Sequence, residues 1–107
     1  MASNTYQFTN SAKQDLDEIL NYISNVLYNQ NAAIDFYNRL KEAIERIRDF
    51  PNLYPIVENE FITEKNIRKI IVKNYIVYYL YKEAEKTVVL LRIVYSKRNL
   101  EEVLRRI

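Results

Sequence analysis

The chain has 107 residues and a formal net charge of +2, from 16 Lys and Arg against 14 Asp and Glu. That length suits a single domain over residues 1–107 with a core of its own. His, Cys and Gly are all missing, which excludes an imidazole base, a thiol nucleophile, a His or Cys metal site and a glycine-rich phosphate loop.

Residues Thr5 to Phe8 alternate polar and aromatic side chains, with Tyr6 and Phe8 on one side, and predict a short half-buried strand. Ser11 stands three residues before Gln14, a capping-box spacing. Ala12, Leu16, Ile19, Leu20, Ile23, Val26 and Leu27 then recur at helical spacing. Asp15, Asp17 and Glu18 crowd the first turns, where the helix dipole accounts for them. After the polar break Tyr28 to Asn31, a second stripe runs from Ala32 through Phe36, Leu40, Ile44 and Ile47 to Phe50 and ends at Pro51. So short a break predicts an antiparallel helical hairpin. Arg46 and Arg48 near its C-terminal end again suit the dipole.

Pro51 to Asn66 is the only long irregular stretch, carrying Glu58, Asn59, Glu60 and Glu64, and predicts a wrapping loop. Three apolar runs follow, Ile67 to Val72, Tyr75 to Tyr81 and Thr87 to Tyr95, joined at Lys73 and Asn74 and through Lys82 to Lys86. They predict an antiparallel meander. The last run is nearly all apolar and is expected at the centre of a sheet, buried on both faces. Ser96, Lys97 and Arg98 make a basic corner, after which Asn99 caps a terminal helix with Leu100, Val103, Leu104 and Ile107 on one stripe.

Charge is unevenly spread. Residues 1–50 hold five basic and seven acidic side chains (5 − 7 = −2), whereas residues 65–107 hold eleven and four (11 − 4 = +7). A polyanion would be drawn to the meander first. No apolar run approaches a membrane span and the N-terminus lacks a signal-peptide pattern, so a cytoplasmic protein with no membrane partner is the expectation.

In this order the amphipathic pair AKQDLDEILNYI and AAIDFYNRLKEAIERIRDFP, the segment IRKIIVKNYIVYYLY and the closing LRIVYSKRNLEEVL resemble the RelE/ParE superfamily of bacterial toxins from type II toxin–antitoxin modules. The resemblance covers nearly the whole chain. It implies an α+β fold: an N-terminal strand, a helical hairpin packed on a twisted antiparallel sheet in the order β-α-α-β-β-β, and a short C-terminal helix. It also implies a growth-inhibiting toxin neutralised by a cognate antitoxin, working without metal or small-molecule cofactor. RelE-like members cut mRNA on the ribosome; ParE-like members poison DNA gyrase without chemistry.

Metal-free RNA cleavage needs a group that activates the 2′-OH, cations for the phosphorane and a proton donor for the leaving oxygen. The resemblance offers Arg68, Lys69, Tyr95 and Arg98 as catalytic candidates, with Lys97 and Arg92 on the RNA. Ribosomal mRNA is the first expected target and gyrase the alternative. Each candidate also has a plainer reading, as a solvated cation at a strand end or, for Tyr95, as cover for the core edge. Ile76 and Leu104 align where the best-known RNA-cutting members have an arginine and a tyrosine. Arg92 and Tyr95, three apart, share a face only if the strand bulges between them. The meander is expected to bring Arg68 and Lys69 to the same edge of the sheet as Tyr95 to Arg98.

Overall fold

The computed structural model describes residues 4–58 and 66–107; Asn59, Glu60 and Glu64 of the predicted wrapping loop lie outside them. Strand β1 (Thr5–Phe8) leads into helix α1 (Asn10–Asn21), which widens into a π-helical turn over Tyr22–Val26 before α2 (Gln30–Asp49). Strands β2 (Arg68–Val72), β3 (Tyr75–Lys82) and β4 (Thr87–Tyr95) follow, and α3 (Leu100–Arg105) closes the chain. The α+β fold and this element order are those expected. Among the described residues no helix is long and apolar enough to cross a membrane.

The sheet runs in the order β1-β4-β3-β2. The meander pairs antiparallel, with Arg68 opposite Tyr79, Val72 opposite Tyr75 and Tyr75 opposite Tyr95. β1 instead joins β4 in parallel, Thr5 beside Thr87 and Phe8 beside Leu90, so the sheet is mixed rather than purely antiparallel. The helical hairpin and the connection after it supply the long crossover a parallel neighbour needs.

β4 is central and serves two cores, because alternate residues point to opposite faces. On the helical face Phe36, Leu40, Ile44 and Ile47 of α2 meet Val77, Tyr79, Val88, Leu90 and Ile93. On the other face α3 lays Val103 and Leu104 over Ile76, Tyr78 and Val94, with Ile67 beside them. The sheet is therefore sandwiched where α3 covers it. The Tyr79 hydroxyl, inside the first core, donates to the Pro51 carbonyl at 2.9 Å and fixes the chain leaving α2 onto the sheet. Burial pushes its pKa up to about 12, against a lowering influence from Arg68.

Two local features differ from the expectation. The cap of α1 is Thr9, not Ser11: its hydroxyl accepts from Ala12 N at 3.1 Å and donates to the Leu91 carbonyl at 2.9 Å. The pairing of β3 with β4 slips between Tyr78 and Tyr79, which face Arg92 and Leu90, so Leu91 is a bulge residue. Thr9 gives that bulged carbonyl a partner and ties the start of α1 to the middle of the sheet. Thr9→Ala is expected to cost about 1–2 kcal/mol in urea unfolding, and Ser11→Ala less than about 0.5 kcal/mol; equal effects would remove Thr9 from this role.

The chain makes its left-handed turns without glycine. Tyr28, Asn66, Lys73 and Lys86 hold φ of 52°, 70°, 57° and 49°. Asn adopts this region readily, whereas tyrosine and lysine pay roughly 1 kcal/mol each. Tyr28 follows the π-helical turn, where Asn29 N reaches back to the Ile23 carbonyl at 3.0 Å and ends the helix.

Candidate functional site

The predicted site residues fall into two separate groups. β2 and β4 run in the same direction, because each is antiparallel to β3. Arg68 is level with Tyr79 and Leu90, whereas Tyr95 is level with Tyr75 and Val72. The four residues from Tyr79 to Tyr75 put the groups about 13 Å apart along the strands, and two strand spacings put them about 10 Å apart across them. The expectation of one shared edge is thus corrected: in a three-stranded meander the first and third strands begin at the same end.

Arg68 uses its guanidinium to donate to the Tyr54 carbonyl at 2.6 Å. Beside it Val57 N donates to Ile67 O at 2.7 Å and Lys69 N to Pro55 O at 3.2 Å. These bonds clip residues 54–57 along the outer edge of β2. Arg92 is engaged as well: Nε donates to Asp15 Oδ2 at 2.7 Å and Nη2 to Oδ1 at 3.1 Å, and the same carboxylate accepts from Ile93 N at 2.9 Å. The Asp15 bond raises the Arg92 pKa still further, against the lowering effect of burial. From Arg92 to Tyr95 the pairing with β3 is unbroken, so the bulge precedes Arg92 and the two side chains stay on opposite faces.

Tyr95, Lys97 and Arg98 are exposed at the far end of β4. The strand leaves the sheet there in a turn closed by Arg98 N to Tyr95 O at 3.0 Å, and Ser96 N binds the Asn74 carbonyl at 2.8 Å. Tyr95 and Arg98 look into a groove of about 730 Å³ between this end of the sheet and the hairpin. Its helical wall carries Asp15, Glu18, Ile19 and Tyr22 from the α1 side and Asp35 and Phe36 from α2; Lys73 and Tyr75 close it from the sheet. Asp15, Glu18 and Tyr22 share one face of α1 by their spacing of three and four. The helix dipole, which alone accounts for Asp15 and Glu18 in the sequence, leaves this shared face unexplained.

The aromatic groups of the groove touch one another. Tyr75 lies on Phe36 with ring centroids 4.9 Å apart and meets Tyr95 edge-on at 5.7 Å. Burial, then the neighbouring Tyr95 and Tyr22 phenols, raise the Tyr75 pKa above its ordinary value, so this hydroxyl stays neutral and gives or takes hydrogen bonds. Lys73 pairs with Asp35 at 3.0 Å and Arg39 with the same oxygen at 3.1 Å. Those two hydrogen bonds, Lys73 first, hold the Asp35 carboxyl below the usual carboxylate range. Two of the three acids in the wall are therefore paired. Among the described residues no group of three or more His, Cys, Asp or Glu side chains is placed to hold a metal ion.

A wall with three carboxylates is a poor bed for a phosphate backbone, and a good one for a protein surface with cations and apolar groups. The sequence matches, over residues 6–100, the family model described as the ParE toxin of the type II toxin–antitoxin system, parDE. Among solved structures, the chromosomal ParDE TA system from P. aeruginosa is similar with a TM-score of 0.67 at 18% identity, covering 88% of this chain and 97% of that one. The toxin–antitoxin complex RelBE2 from Mycobacterium tuberculosis gives 0.57 at 20% identity, with 86% and 96% covered. A metal-bound toxin from Helicobacter pylori gives 0.57 at 13% identity, with 92% and 99% covered. These likenesses are of fold. A search of curated proteins finds no match to the sequence.

Proposed function

The chain belongs to the ParE toxin family of type II toxin–antitoxin systems, and we propose that it arrests growth by binding DNA gyrase as a non-enzymatic inhibitor, with a cognate antitoxin holding it in check. One observation carries the choice against RNA cleavage. The groups that the cutting scheme requires at one phosphate are split, Arg68 and Lys69 at the start of β2 and Tyr95, Lys97 and Arg98 at and beyond the end of β4. An in-line attack needs reacting groups within about 3–3.5 Å of each other, and strand register does not relax by several residues.

Three further observations support binding over chemistry. Arg68 and Arg92 are occupied in holding a loop and a helix. Ile76 and Leu104, the positions aligned with a cutting arginine and tyrosine, are 5% and 4% exposed in the second core. The groove beside the hairpin offers aromatic rings and mixed charge, which suit a protein partner. An antitoxin partner is supported by the family and by two of the fold relatives, which are toxin–antitoxin systems by description.

Purified toxin is expected to block gyrase supercoiling of a relaxed plasmid while leaving a reporter mRNA intact in cell-free translation. Cuts within codons, together with unaffected supercoiling, would overturn the proposal. They would favour a second reading, mRNA cleavage from the one corner where Tyr95, Lys97 and Arg98 stand together and exposed. On that reading Arg98→Ala relieves the cutting.

A further inference from the structure

The groove has one carboxylate without an ion pair. Asp15 is consumed by Arg92 and Ile93 N, and Asp35 by Lys73 and Arg39. Glu18, on the same wall, accepts from Gln14 Nε2 at 3.1 Å and acts on Arg92 through space, but among the described residues it has no salt-bridge partner of its own. One helical turn further on stands Tyr22, half-exposed, and across the groove lie Tyr75 and Tyr95. Three phenol rings and a carboxylate without a salt-bridge partner around one concave volume form an arrangement that attracts an organic cation, because ring faces and the carboxylate are both negative.

We propose that this groove is a receptor for an arginine side chain presented by a protein partner, with Glu18 as its counter-ion and Tyr22, Tyr75 and Tyr95 as its aromatic wall. Arginine suits it better than lysine: a planar guanidinium stacks on a ring and forks onto a carboxylate at the same time, and it sheds water more easily than an ammonium. The two cations lining the groove do not occupy this place. Lys73 is bound to Asp35. Arg98 is on the opposite, sheet-end wall, after the turn that follows β4. A partner arginine therefore enters from the hairpin side, toward Glu18, and away from Arg98. The Tyr75 hydroxyl, neutral and on a half-buried side chain, is left to hydrogen-bond rather than to repel. The inference holds whether gyrase or mRNA is the toxin's target, since it concerns what the groove accepts.

The test uses the whole chain and capped tripeptides, acetyl-Ala-Arg-Ala-amide and its Lys and Glu counterparts, with the tyrosine ring resonances followed by NMR. The arginine peptide is expected to shift the Tyr22, Tyr75 and Tyr95 rings and to saturate at millimolar concentration. The lysine peptide should bind more weakly, and the glutamate peptide at least about fivefold more weakly than arginine. Glu18→Gln, an exposed isosteric change, is expected to weaken arginine binding about fivefold or more, and Tyr95→Leu to weaken it while keeping the apolar bulk. Equal shifts from the arginine and glutamate peptides, no shifts at all, or undiminished binding to Glu18→Gln would each overturn the proposal. None of these readings depends on gyrase inhibition, so the two proposals fail separately.

Discussion

Asp15→Ala is expected to lower the unfolding free energy by about 3–5 kcal/mol, one of the two largest effects of a single substitution anticipated here. β1 ends opposite Leu90, so beyond that point β4 has no strand on that side. Asp15, 7% exposed, fills the gap from α1: one oxygen takes the Ile93 N–H at 2.9 Å, and both take the Arg92 guanidinium. Both carboxylate oxygens are engaged, by three hydrogen bonds in all, which is what makes a buried ion pair tolerable. Removing the carboxylate strands a guanidinium only 17% exposed and leaves a buried amide without an acceptor, both costly. Asp15→Asn keeps an acceptor for Ile93 and should fall between wild type and Asp15→Ala. Adding Arg92→Met to Asp15→Ala removes the stranded charge and should restore about 1–4 kcal/mol. Guanidinium unfolding of the three variants checks this, and a loss below about 1 kcal/mol for Asp15→Ala would show that the clamp contributes little.

That clamp was partly visible in the sequence. Asp15, Ile19 and Ile23 are spaced by four, so helical periodicity already put the acid on the buried stripe. Arg92 likewise interrupts an otherwise apolar strand. Two opposite charges on two core-facing elements are a pairing signal, and the dipole explanation obscured it. The meander, the central place of β4 and the cap at Asn99 were legible, because period-two alternation and turn residues are local properties. The bulge at Leu91 was not, since the hydroxyl that partners its carbonyl belongs to Thr9, remote in sequence. The parallel entry of β1 was not legible either, because neighbouring in a sheet is decided by how the hairpin returns the chain. The misplacement of Arg68 beside Tyr95 was a matter of strand direction rather than of missing information. Alternation of direction along a meander is enough to put the start of its first strand at the far end from the finish of its third.

The second large effect is expected for Ile76→Arg, about 3–5 kcal/mol of destabilisation with no gain of RNA cleavage. Ile76 sits in the layer between the sheet and α3, against Tyr78, Val94, Val103 and Leu104. Losing the isoleucine forfeits roughly 2 kcal/mol of apolar burial, and the incoming guanidinium has no carboxylate in that cluster to meet. It can escape only by lifting α3, a helix of six residues, off the sheet. Ile76→Val, which keeps shape and apolarity, should cost only about 0.5–1.5 kcal/mol. Adding Leu104→Tyr to Ile76→Arg should not rescue stability, because a buried hydroxyl then needs a partner of its own. The cutting pattern and the α3 layer are thus alternative uses of the same sheet face. Acquiring one requires giving up the packing of the other, which a residue swap does not accomplish. Thermal unfolding of the variants, with mRNA 5′ ends mapped in a cell-free extract, decides the matter. A double variant within about 1 kcal/mol of wild type that cut mRNA would show that the apolar layer is no barrier to that chemistry.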